Sequence, residues 1–141
     1  MVGLVIVVMF GLIIQIYSSS KMRELEMAIE KEKEREAVAI SQIALYAPEI
    51  KCNNEDYCIE LEKARAANKS KKLEELYKKL FGYGYIRIIQ IYPTSFNLTV
   101  YNNSLEKSMS SYTYRYTINI YNTSSKKEGL GILEINKQYP R

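Results

Sequence analysis

The chain has no histidine and no tryptophan, and only two cysteines, three prolines and three phenylalanines among 141 residues. Without histidine there is no Ser-His or Cys-His nucleophilic pair and no imidazole ligand, and two cysteines alone do not complete a structural zinc site. Glycine-rich phosphate loops and paired-carboxylate motifs are missing too, so no residue takes a catalytic role and the chain is expected not to be an enzyme. No metal and no cofactor is expected beyond N-linked glycans. A single-sign charge field is also lacking. The 20 basic and 16 acidic residues are largely interleaved, for a net charge of +4, which argues against DNA or RNA as a partner.

What is present begins at the N-terminus. MVGLVIVVMFGLIIQIY carries no charge, and from Val2 to Tyr17 only Gln15 is plainly polar. Sixteen helical residues span roughly 24 Å, short of the about 20 residues of a comfortable membrane span. No basic n-region leads into the run, as a secretory signal requires, although Ser18, Ser19 and Ser20 imitate a cleavage site. Apolar on every face, the run needs either lipid or neighbours around it, because each exposed leucine, isoleucine or valine forgoes about 1.5–3 kcal/mol of burial. Gly3 and Gly11, eight apart, lie on nearly the same face and would allow helix backbones to approach closely, or are ordinary glycines facing lipid. Gln15 is suited to a bundle contact or to the lipid interface.

The helical signal continues past the serines. Met22, Leu25 and Ile29 have helical spacing, EKEKEREA follows with opposite charges three and four residues apart, and Ile40, Ile43 and Ala44 resume an apolar stripe. No glycine or proline intervenes between Gly11 and Pro48, so one helix of roughly 70 Å is expected to end at Tyr46 or Ala47. Residues 1–47 then form a long helix, apolar over 1–17 and amphipathic over 18–47, and residues 48–141 form a head.

An apolar stretch running directly into a long amphipathic helix and a small β-rich head resembles the mature N-terminus of an archaeal type IV pilin or pilin-like protein. The resemblance implies a leader removed by a dedicated peptidase and a filament built by bundling of the apolar helices. It places the filament core in Val2, Gly3, Leu4, Val5, Ile6, Val7, Val8, Met9, Phe10, Gly11, Leu12, Ile13, Ile14, Gln15, Ile16 and Tyr17.

In the head, Cys52 and Cys58 are six apart in KCNNEDYC, too wide for a CxxC redox pair and without further metal ligands. A disulfide is expected, the alternative being two reduced thiols in a cytosolic protein. The bridge would place the head in an oxidising compartment, whereas Lys21 and Arg23 beside the apolar run pull it towards the cytoplasm by the positive-inside rule. Sequons at Asn68, Asn97, Asn102 and Asn122 are candidate glycosylation sites and agree with an outside head.

A helix is expected over about 56–81, broken near 67–70 and stopped by Gly82. From Tyr83 the period changes to two, and 83–92, 95–103, 111–122 and 130–137 read as four strands, most simply an antiparallel meander. Tyr112, Tyr114, Tyr116, Ile118 and Ile120 should face the helix. Phe96, Leu98 and Val100 form the buried set of the second strand, which turns Asn97 and Thr99 outward. The 13 tyrosines are expected to pack a small core and its rim; a sugar-binding ladder is the sharper alternative.

The expected fold is therefore α+β, a long N-terminal helix on a four-stranded antiparallel sheet, in the manner of a type IV pilin. The expected function is that of a structural subunit of an extracellular filament on the cell surface, supporting adhesion or surface motility. Its partners would be other copies of itself in a helical homopolymer, the membrane that holds the precursor pool before assembly, and surface or glycan ligands. The alternative is a monomeric single-pass membrane protein with a ligand-binding head.

Overall fold

A computed structural model describes residues 2–53, 55–108 and 110–140, with side-chain environments from Ile6 onward. The expectations for the side chains of Val2, Gly3, Leu4 and Val5 fall outside those described. The chain divides into two compact units, Met1–Glu36 and Ala37–Arg141.

Helix α1 runs unbroken from Val2 to Leu45. Its exit is a short turn, in which Tyr46 N–H donates to the Gln42 carbonyl and Ala47 N–H to that of Ala44. Pro48 follows, where the preceding residue is biased away from helical backbone. In the first unit, the side chains from Ile6 to Glu36 all belong to α1 and are exposed except for half-buried Lys33.

Within the second unit the last turns of α1 enter the core: Ala37 and Ala44 are fully buried, and Ile40 and Leu45 nearly so. Beyond them come β1 (Cys58–Glu60), α2 (Leu61–Lys69), α3 (Lys71–Phe81), β2 (Gly84–Tyr92), β3 (Phe96–Asn103), β4 (Ser110–Asn122) and β5 (Lys127–Tyr139). The expected helix over 56–81 is two helices, because Ser70 leaves helical backbone through its extended ψ of 106° and caps the second by accepting from Leu73 N–H at 3.4 Å. Before the first of them, residues 56–57 are a turn and Cys58–Glu60 are β1 instead of helix.

The expected four-stranded antiparallel meander is corrected to a five-stranded mixed sheet of order β1-β4-β5-β2-β3. β1 lies parallel to β4, with Ile59 beside Ile120, and the other pairs are antiparallel. β5 sits between β4 and β2 rather than at an edge. Its residues 133–137 are buried without a break, which is how a central strand is accommodated and an edge strand is not. β4 alternates as expected, with Ile118 and Ile120 buried, Tyr112, Tyr114 and Tyr116 half-buried, and Thr113, Arg115, Thr117 and Asn119 exposed. The Tyr116 hydroxyl is 2.6 Å from Ser41 Oγ, which ties β4 to α1.

In β3 the register skips Val100, since Ile86 pairs with Tyr101 and Arg87 with Thr99. This bulge turns both Val100 and Tyr101 inward, and both are buried. Gly82 and Gly84 hold positive φ, a backbone conformation that favours glycine. Gly82 ends α3 at φ +64°, and Gly84 has φ +138° with the Asn136 carbonyl only 1.9 Å from where a Cβ would stand. Around Gly82, Tyr101 Oη and Asn103 Nδ2 both donate to its carbonyl, and Lys137 Nζ donates to that of Phe81 at 2.7 Å. The carbonyls left open at the end of α3 are thereby satisfied by β3 and β5.

Candidate assembly surface

In α1, ten large apolar side chains between residues 6 and 17 are each more than half exposed, from Leu12 at 51% to Val7 at 71%. A Cβ added at Gly11 would meet nothing within 4 Å, so the helix surface is flat there. Gln15 and the serines at 18–20 are exposed as well, and Lys21 pairs with Glu24 at 2.9 Å where the charged part begins. Half-exposed side chains realise only part of their transfer free energy, so ten of them leave about 10 kcal/mol unrealised, as much as the whole stability of an ordinary domain. Among the described residues no helix is long and apolar enough to cross a membrane.

Cys52 and Cys58 are joined by a disulfide, with Cα atoms 5.3 Å apart. Cys52 N–H also donates to the Cys58 carbonyl at 3.0 Å. The bridge folds the segment after α1 back so that β1 can run beside β4. Asn54, inside this loop, lies outside the described residues. Beside the bridge a cleft of about 360 Å³ is lined by Cys58, Glu60, Asn119, Tyr121 and Glu128 among others. Glu60 in its wall is engaged by Lys63 Nζ at 2.9 Å and by the Thr123 hydroxyl at 2.9 Å. Those two partners hold its carboxyl below the ordinary glutamate range. The neighbouring Glu62 accepts from Thr123 N–H, Ser124 N–H and Ser124 Oγ, which fastens the β4–β5 turn to α2. Among the described residues no three His, Cys, Asp or Glu side chains are grouped to hold a metal.

The four sequons differ in their settings. Asn68 is exposed in α2, and Asn97 and Asn102 are exposed on β3, with Thr99 half-buried. Asn102 Oδ1 accepts both the Ser104 N–H and the Ser104 hydroxyl. Asn122 is half-buried, its Oδ1 accepts Ser125 N–H, and its sequon hydroxyl on Ser124 is held by Glu62.

A cluster with no signature in the sequence occupies the sheet face away from α1. Glu134, 4% exposed, takes Arg115 Nε at 2.7 Å on Oε2, and the Tyr85 hydroxyl at 3.1 Å and Arg87 at 3.8 Å on Oε1. Burial works against its ionisation. The Arg115 and Tyr85 hydrogen bonds and the two guanidinium charges outweigh burial and hold the carboxyl below its usual range. Strand order alone brings these residues together, since Arg87 and Arg115 are the two cross-strand neighbours of Glu134. Alternation along each strand was the only hint available.

No family model matches the chain, and no curated protein or solved structure shows significant similarity to it.

Proposed function

We infer that the chain is a subunit of a pilus-like extracellular filament, assembled by bundling of its apolar N-terminal helices and supporting adhesion or surface motility. One observation carries this reading: residues 6–17 expose an apolar surface on every side, while the second unit fills its own core from Ala37 onward. A surface that leaves about 10 kcal/mol unrealised has to be covered, and copies of the same helix cover it without a further partner. The disulfide supports a head on the oxidising side. Before assembly the helix rests in the bilayer, where a run of roughly 24 Å is accommodated by local thinning. Contacts of this kind repeat head to tail without closing and so generate a helical fibre.

The test is Val7→Asp, at a position 71% exposed and outside the head's core. Electron microscopy of the producing cells should find no fibres, while the variant head keeps its disulfide and its circular dichroism. Unchanged fibres in the variant, or a wild-type chain isolated only as single bilayer-embedded copies, would refute the proposal.

A further inference from the structure

Past the apolar run, α1 carries exposed apolar side chains in the midst of charge: Met22 at 59%, Leu25 at 61%, Met27 at 67% and Ile29 at 50%. Three of these continue a line that starts inside the run. Val7, Gly11, Ile14, Ser18, Met22, Leu25 and Ile29 follow steps of 4, 3, 4, 4, 3 and 4, which is two repeats of 11 residues. At 3.6 residues per turn they fall within an arc of about 80°. Met27 lies on the opposite side of the helix. An 11-residue repeat advances about 3.67 residues per turn, so the line stays nearly parallel to the helix axis and favours straight or slightly right-handed packing. Gly11 and Ser18 supply small residues along it, where two helices can approach closely.

We propose that this seam, from Val7 to Ile29, is the contact between parallel α1 helices of neighbouring copies, so that the assembly interface extends beyond the apolar run by about 18 Å. The proposal rests on the assembly reading above and deepens it. Lipid does not suit the added part, because Lys21, Arg23, Glu24 and Glu26 crowd the same turns. A sister helix does. Lys21 borders the seam on one side and Glu26 on the other, so copies placed side by side set the base of one against the acid of the next. Apolar seam residues flanked by opposite charges are the arrangement that specifies helix pairing in water.

The matched pair Leu25→Asp and Met27→Asp tests the seam in the full chain. Both positions are exposed and apolar, two residues apart, on opposite sides of α1, and neither is a member of the head's core. Leu25→Asp should lower the number of filaments per cell at least tenfold, and Met27→Asp should leave it within twofold of wild type. Replacing Leu25 by photoreactive benzoylphenylalanine should give crosslinks to residues 18–30 of another copy, identified by mixing isotopically light and heavy chains. Equal effects of the two aspartates, or crosslinks that map to a head or to lipid, overturn the seam. If Val7→Asp blocks filaments while Leu25→Asp does not, only the extension falls. If Val7→Asp leaves filaments intact, the assembly reading falls with it.

Discussion

Replacing Glu134 by glutamine keeps the side-chain shape and removes one charge from a carboxylate whose side chain is 6% exposed. Its partners are Arg115 Nε at 2.7 Å, the Tyr85 hydroxyl at 3.1 Å and Arg87 at 3.8 Å. The arginine side chains are 67% and 39% exposed, so water screens the pairing and the direct Coulomb gain is small. What the charge contributes is mainly stronger hydrogen bonding at a buried acceptor, where bonds to an ionised group are each worth about 1.5–3 kcal/mol. After discounting for the exposed guanidiniums, Glu134→Gln should cost about 1–2 kcal/mol and lower Tm by roughly 5–10 °C. The pH dependence fixes the cause. The folded-state pKa is depressed, so the stabilisation is complete above the unfolded glutamate value of about 4.3 and is lost as pH falls through the folded value. Urea unfolding of the full chain in mild detergent, followed by the fluorescence of its 13 tyrosines without interference from tryptophan, should show wild type and variant converging in acid. A gap that stays constant from pH 7 into acid would place the loss in packing and refute the electrostatic account, as would a gap under about 0.3 kcal/mol at pH 7.

Three further outcomes are expected. Tyr77 is 3% exposed and its hydroxyl has no hydrogen-bond partner among the described residues, so Tyr77→Phe should stabilise the head by about 1 kcal/mol in urea unfolding. Burial, with the charge of Glu49, pushes the Tyr77 pKa up to about 12 from 10.0; the unfolded phenol therefore ionises first, and the advantage of phenylalanine should grow between those two pH values. Cys52→Ser with Cys58→Ser opens a loop closed by residues six apart and should cost about 2 kcal/mol, read from the same unfolding curves. Mass spectrometry of glycopeptides from the native protein should find sugar at Asn97 and Asn102 but not at Asn122, whose sequon hydroxyl is tied to Glu62; glycan at Asn122 with both β3 sites bare would contradict this.

The parts of the fold that repeat with a fixed period were legible in the sequence. α1, the break at Ser70, the alternation of β4 and the bridge between Cys52 and Cys58 all follow from local spacing and local chemistry. β1 was not legible, because three residues are too few to show a period and its pairing depends on where the disulfide turns the chain. Strand order was hidden for a different reason: neighbouring strands in sequence usually pair, and nothing local in residues 130–137 says that β5 runs between β4 and β2. The Val100 bulge was likewise hidden: Phe96 and Leu98 are half-buried and Val100 is buried, but Thr99, expected to face outward, is half-buried as well, and Tyr101 joins the core. The exposed apolar run of α1 was the most legible feature, since a charge-free run needs no tertiary information to be recognised. The Glu134 cluster was the least, being assembled from three strands.

β3 lies at the margin of the sheet, paired only with β2 among the described residues, and it contains neither a charge nor a proline. Such a strand ordinarily invites a stranger to zip onto its open flank. The irregularity at Val100 divides that flank into 96–99 and 101–103, so an incoming chain finds two short, misaligned stretches in place of one continuous template. At high protein concentration, therefore, this flank does not seed an amyloid-like ribbon.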